Sequence, residues 1–252
     1  GGALAQTKLE KIKAEGKITM ATSPDFAPSE FIDPNKTGQE AIVGADISLA
    51  KYIAEQLGVT LTIEAMDFSA ALGAAATGAV DIAISGFAPT EERKEAMLLS
   101  DPFVYEADAG QGILVLKDQA DNYKKTEDFA GKKIAVQNGS LQYKLLTEQL
   151  PEAVPEIITN LNDAVMMLIT GKVDAVGVSV DNGLSFVNNY DELAVSEFRY
   201  DYASVGTVVA MQKGQDDLAA AINEILAKAK EEGLFPIWFQ EAKALADSLG
   251  IE

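Results

Sequence analysis

The 252-residue chain has no cysteine and no histidine. That removes thiolate nucleophiles, imidazole general bases, histidine-based triads and zinc sites built from nitrogen and sulfur, and most hydrolase mechanisms go with them. A chain without thiols suits an oxidising exterior and a cytosol equally, so redox compartment stays open. Positive charge is also scarce: 20 Lys and Arg against 39 Asp and Glu leave a net charge of −19. Such a surface repels phosphate backbones and anionic lipid heads, so no nucleic-acid partner is expected. No stretch holds eighteen uncharged apolar residues in a row. The opening GGALAQTKLEKIKAEG has no apolar core of the kind a secretion signal needs, so the chain reads as a mature, soluble form.

What is present is a repeated pattern. Residues 77–85 read TGAVDIAIS and residues 170–179 read TGKVDAVGVS, each after a helical stretch, AALGAAA or DAVMMLI. Gly78 and Gly171 fit left-handed helix ends, and each apolar run that follows fits a strand buried on both faces of a parallel sheet. A second pair supports the first: GKITMA at Gly16 and GKKIAV at Gly131 both read as first strands, each leading through a polar loop to a helix. The spacing predicts two similar α/β lobes, each a mostly parallel central sheet flanked by helices. After Lys213-Gly214 only helical periodicity remains, so the tail is expected to pack back onto the first lobe. The chain would then cross twice between lobes, near 103–107 and 203–207, making a two-strand hinge with a cleft. The expected lobes are 1–104 with 207–252, and 105–206.

The segments GADISLAKYIAEQLGV, MDFSAALGAAATGAVDIAISG, PTEERKEAMLLSDPF, AGKKIAVQNGS, VVAMQKG and EEGLFPIWF, in this order, closely resemble the amino-acid-binding family of ABC-importer solute receptors. The resemblance spans nearly the whole chain. It implies a type II periplasmic-binding fold with a discontinuous first lobe, and a monomeric extracytoplasmic protein without cofactor or metal. It also implies a periplasmic or lipid-anchored location, a small amino-acid-like ligand, and delivery of that ligand to an ABC-importer permease.

Arg93 is the first candidate contact. Thr90 suits a helix N-cap and Glu91 and Glu92 the first turn, which places Arg93 at the third helical position beside a loop. From there its fork can hold a carboxylate through two charge-assisted bonds, with Ser85 and Gly86 backbone amides supplying others. The resemblance gives the matching Arg this role and makes Phe26 and Phe68 rings that flank the ligand. Asn138, Gly139 and Ser140 form a polar strand-to-helix loop suited to donating hydrogen bonds, although Ser140 also suits a helix cap. Three positions depart from the family pattern: Ala88 stands where Ser or Thr is usual, and Ser23 where Asp is usual. Ser179 falls where an Asp normally binds the ligand's ammonium. Asp181, two residues on, would share its side of a strand and could replace it; otherwise the ligand lacks a primary ammonium. A dehydratase-like enzyme on the same fold would draw on Glu30, Asp25 or Asp181 as acid or base. A sensor domain of a membrane receptor is the other alternative.

Overall fold

The structure, a computed structural model, describes residues 6–250; residues 1–5 and 251–252, at the ends of the expected first lobe, lie outside the described residues. A capping box between Thr7 and Glu10 starts α1 (Lys8–Glu15). There follow β1 (Lys17–Thr22), a short hairpin of β2 (Phe31–Ile32) and β3 (Ile42–Val43), α2 (Ala45–Leu57), β4 (Thr60–Ala65), α3 (Phe68–Thr77), β5 (Ile82–Phe87), α4 (Glu91–Ala96) and β6 (Leu98–Leu99). The chain then builds β7 (Gln111–Leu116), β8 (Lys133–Gln137), α5 (Leu141–Gln149), β9 (Val154–Ile158), α6 (Leu161–Ile169), β10 (Ala175–Ser179), α7 (Val180–Asn189) and β11 (Leu193–Arg199). It returns as β12 (Val208–Met211), α8 (Asp216–Glu231) and α9 (Leu234–Leu249).

The two five-stranded sheets have matching orders, β4-β1-β5-β12-β6 and β9-β8-β10-β7-β11. In each, three parallel strands are followed by one that runs antiparallel to them, β12 or β7, and by a fifth, β6 or β11, paired antiparallel to that one. The repeated Val-Asp has one structural job in both. Asp81 accepts hydrogen bonds from the Thr19 amide and hydroxyl at the head of β1, and Asp174 accepts one from the Lys133 amide at the head of β8. Each carboxylate thus pins the neighbouring parallel strand, while the apolar run after it is buried on both faces.

The core divides accordingly. Ile18, Met20, Ile53, Ile82 and Ile84 pack with Leu218 and Ile222 of α8. Two clusters around Phe129 and Phe186 fill the second sheet. The tail does more than return to the first sheet, because α9 also reaches α7, where Asn188 donates to Asp247 at 3.0 Å.

The two crossings lie side by side, paired by reciprocal amide-to-carbonyl bonds of 2.9 Å between Phe103 and Thr207. This closeness depends on Gly206, at φ +105°, where a Cβ would stand 2.5 Å from the Phe103 carbonyl oxygen. Gly214, also at positive φ, has open space around the same position. A left-handed backbone costs any side chain about 1–2 kcal/mol, and Gly206→Ala adds an overlap to it. Paired thermal melts should show Gly206→Ala lowering Tm by several degrees more than Gly214→Ala; equal shifts would mean the hinge backbone relaxes freely.

Candidate functional site

The parallel strands of both sheets end toward the same cleft, as open α/β sheets place their ligand sites. A cavity of about 140 Å³ opens there, between Phe26, Phe68, Ser85 and Arg93 on one side and Gln137, Gln142, Ser179 and Asp181 on the other. Residues of the two crossings, among them Tyr105, Asp108, Tyr202 and Thr207, close its back.

Arg93 sits at the third position of α4, its amide donating to the Thr90 hydroxyl that caps the helix. The guanidinium is buried, lies 5.5 Å from the Phe68 ring centre and 5.7 Å from that of Phe87, and donates to the carbonyls of Ala88 and Gly139. No carboxylate among the described residues lies within ion-pair distance of it. Burial holds its pKa down to about 10, so it remains a cation at neutral pH. A charge removed from water in this way calls for an anion.

Below the cavity two carboxyl groups meet. Gly44 has φ +132°, and a Cβ there would fall 2.2 Å from the Ser29 carbonyl oxygen, so only glycine lets α2 start against that loop. Asp46 is thereby fully buried, accepting from the Gly86 amide at 3.0 Å and from the Tyr105 hydroxyl. Glu30, also fully buried, accepts from Ser85 Oγ at 3.0 Å. Burial first, and then Asp46, pushes the Glu30 pKa well above the usual carboxylate range. Asp46 already accepts two firm bonds, so Glu30 keeps the proton and donates it to its neighbour.

The second lobe contributes through α7. Ser179 ends β10 and caps α7, its hydroxyl accepting the Asn182 amide. Asp181 therefore reaches the cavity from the first turn of a helix and not by strand alternation with Ser179, as the sequence reading had it. Its carboxyl pKa is raised by burial and then by Asp108, with Lys243 opposing.

Of the residues expected at the site, Arg93, Ser85, Gly86, Phe26, Phe68, Ala88, Ser179 and Asp181 line the cavity together. Ser23, Asn138, Gly139 and Ser140 do not. Ser23 Oγ is turned to Asp25, Asn138 donates to Ser69 across the cleft, the Gly139 carbonyl accepts from Arg93, and Ser140 caps α5. The Gly86 amide, expected to face a carboxylate, is taken by Asp46. Phe68 opens α3, three residues after β4 ends at Ala65. Neither Asp25 nor Glu30 reaches the cavity, so of the three carboxylates named for acid-base chemistry only Asp181 does. Tyr105, Asp108, Asn182 and Tyr202 line it without having been read from sequence; their only signal was proximity to the crossings or to Asp181.

Residues 18–239 match the model of the bacterial extracellular solute-binding proteins, family 3. The chain belongs to that family. The arginine-binding extracellular protein ArtP of Bacillus subtilis is 29% identical over 90% of this chain and 88% of its own length. A Streptococcus pneumoniae amino acid ABC transporter substrate-binding protein, solved bound to L-arginine, shares 35% identity with a TM-score of 0.87, covering 95% of this chain and 98% of that one. AncCDT-1, an ancestral amino-acid-binding protein and precursor of cyclohexadienyl dehydratase, is 30% identical with a TM-score of 0.82, covering 93% and 99%. The type II periplasmic-binding architecture implied by the resemblance is thus that of family 3, and this chain is a solute-binding protein of the ABC-importer kind.

In this family-3 chain the Glu30 proton has a measurable consequence. The folded protein keeps it while the unfolded chain releases it above the ordinary Glu value of 4.5. Stability is therefore fully expressed below that pH and declines as pH rises toward the raised folded value, by at most about 1.4 kcal/mol per pH unit. Glu30→Gln imitates the protonated acid and cannot titrate. Its Tm should fall less than the wild type's between pH 5 and pH 8; equally steep profiles would assign the proton to another group.

Proposed function

We propose that the chain captures a cationic α-amino acid in its cleft, outside the cytoplasm, and presents it unchanged to the membrane permease of an ABC importer. The observation that carries this reading is Arg93: a buried guanidinium on the cavity wall, framed by Phe68 and Phe87, with no carboxylate among the described residues within ion-pair distance. A ligand α-carboxylate supplies the missing charge. The remaining ionisable lining is acidic, with Asp46, Glu106, Asp108 and Asp181, so a ligand with further positive charge complements it. ArtP is named for arginine and the pneumococcal protein was solved bound to L-arginine, which favours that class.

A dehydratase-like chemistry is less well supported. Glu30 and Asp25 do not reach the cavity and are bonded within the chain, Glu30 to Ser85 and Asp25 to Gln137 and Leu161. The moving bodies in this reading are 1–104 with 207–252, and 105–206, turning about the paired crossings as a monomer. Whether its holder is a free periplasmic protein or one lipid-anchored at the cell surface, the cleft works in the same way.

Calorimetric titration of L-arginine tests the reading. Arg93→Ala should weaken binding by at least about thirtyfold, which corresponds to about 2 kcal/mol, with a smaller effect on the free protein, where Phe68 and Phe87 keep their contact and only the bonds to the Ala88 and Gly139 carbonyls are lost. Retention of affinity within threefold would place the carboxylate elsewhere. Small-angle scattering at saturating L-arginine should show a smaller radius of gyration than the free protein.

A further inference from the structure

Asp25 lies just after β1, is 2% exposed and does not line the cavity. Its Oδ1 accepts from the neighbouring Ser23 hydroxyl at 2.9 Å. Its Oδ2 accepts twice from the other side of the cleft, from Gln137 Nε2 at 2.8 Å and from the Leu161 amide at 3.0 Å. Leu161 opens α6 and clusters with Ala135 and Val176 of the second sheet, so its amide has a fixed position. A helix start leaves such amides without partners inside the helix. In α6 the Asn160 side chain serves the amide of Asn162, and Asp25 serves that of Leu161 from the opposite half of the protein. No cation among the described residues lies within ion-pair distance of Asp25. Burial raises its carboxyl pKa, and the bonds from Leu161, Ser23 and Gln137 act against that rise.

The other bonds across the cleft differ in kind. Arg93 and Asn182 also line the cavity, and the bond from Asn138 to Ser69 is exposed. Asp25 makes its bonds in a buried place that the ligand does not reach. When the halves part, water serves the carboxylate and its donors alike. Without the carboxylate the closed form is penalised, because the Leu161 amide and one Gln137 hydrogen are then buried with no acceptor, and an unmet buried donor costs more than a bond contributes.

We propose that Asp25 is a positioning residue that sets how long the closed cleft retains its ligand: without touching the ligand, it locks the start of α6 and the Gln137 side chain of one half onto the end of β1 in the other. This rests on the reading of the cleft as one that closes over an amino acid. Gln137 gives its other Nε2 hydrogen to the Thr159 carbonyl at 3.0 Å, so the lock also holds this cavity-lining amide with its oxygen as the end left for the ligand. Encounter takes place at the open cleft, where the bonds to Asp25 are not made, and their effect therefore falls on release.

The test measures L-arginine affinity by calorimetry, and release by diluting protein loaded with radiolabelled L-arginine into unlabelled ligand, for the wild type, Asp25→Ala and Asp25→Asn. Asp25→Ala should release L-arginine at least about tenfold faster, as loss of one hydrogen bond to a charged group implies. Its association rate, the release rate divided by Kd, should stay within about twofold of the wild type's. Asp25→Asn keeps an oxygen for the donors of the second half and can turn its NH2 to Ser23 Oγ, so its release should stay within about threefold. If Asp25→Ala does not fold, exchange of the Leu161 amide in the wild type decides, since saturating L-arginine should slow it by at least about tenfold. Unchanged release in Asp25→Ala, a loss confined to association, an Asn variant no better than Ala, or a Leu161 amide that the ligand does not protect would overturn the proposal. In each of these cases the wild type still binds L-arginine, and the reading of the cleft stands. A wild type that does not bind L-arginine overturns the cationic amino-acid reading and this assignment with it.

Discussion

The buried pair of Glu30, which keeps its proton, and Asp46 ties together the parts of the first lobe that meet at the cleft. Through Ser85 Oγ it reaches β5 and, by the Ser23 amide that donates to the same hydroxyl at 3.0 Å, the end of β1. Through Asp46 it holds the Gly86 amide at the strand end and the Tyr105 hydroxyl on the first crossing. Two ionised carboxylates could not occupy this space, and two amides could not accept all the donors that converge on it. The floor of the cavity, the strand end beside Arg93 and the inner wall of the hinge are therefore set by one protonation state. This is a costly arrangement in a buried site, and its effect is to fix positions more than to add stability.

The second organising feature is how the halves are joined across the cleft. Asp25, placed just after β1, accepts from Gln137 Nε2 at 2.8 Å and from the Leu161 amide, the first of α6, at 3.0 Å. Asn182 grips Ala27, Arg93 grips Gly139, and Asn138 grips Ser69. Most of these bonds use a backbone group on one side, so they fix the approach of the lobes without depending on a long flexible partner. Arg93 and Asn182 each serve twice in this scheme, holding the opposite lobe with one set of atoms and facing the cavity with another. Closure and recognition are for that reason coupled through the same side chains, and a ligand that engages both residues favours the closed form.

The fold was legible because its signals are local and repeated. The two Thr-Gly-x-Val-Asp segments encode a helix end, a pinned neighbouring strand and a strand buried on both faces, and the sheets built on them have the same order. Arg93 was legible too, since Thr90 and two glutamates set its helical position whatever surrounds it. The sequence pattern was silent where a polar side chain had a choice of partners. Ser23 and Ser140 are in loops at strand ends, as expected, yet the nearest donors and acceptors were Asp25 in one case and the amide of Tyr143 in the other. The Gly86 amide was lost to Asp46, forty residues away in the chain.

The amino-acid sequence by itself determined the two-lobed α/β plan, the absence of thiol and imidazole chemistry and the helix that carries Arg93, because each follows from periodicity, composition or short-range capping, and its segments carried the resemblance to the family. Only the tertiary structure decided which polar groups face the cleft. Glu30 and Asp25 have the same ionisable chemistry as Asp181, but packing turns them inward to Ser85, Gln137 and Leu161 while Asp181 is left on the cavity wall. Asn182, unremarkable in a sequence, becomes a directed acceptor once Ala27 fixes its amide. A hydrogen-bond partner is chosen by distance and direction in space, and those are set by long-range packing that no local pattern records.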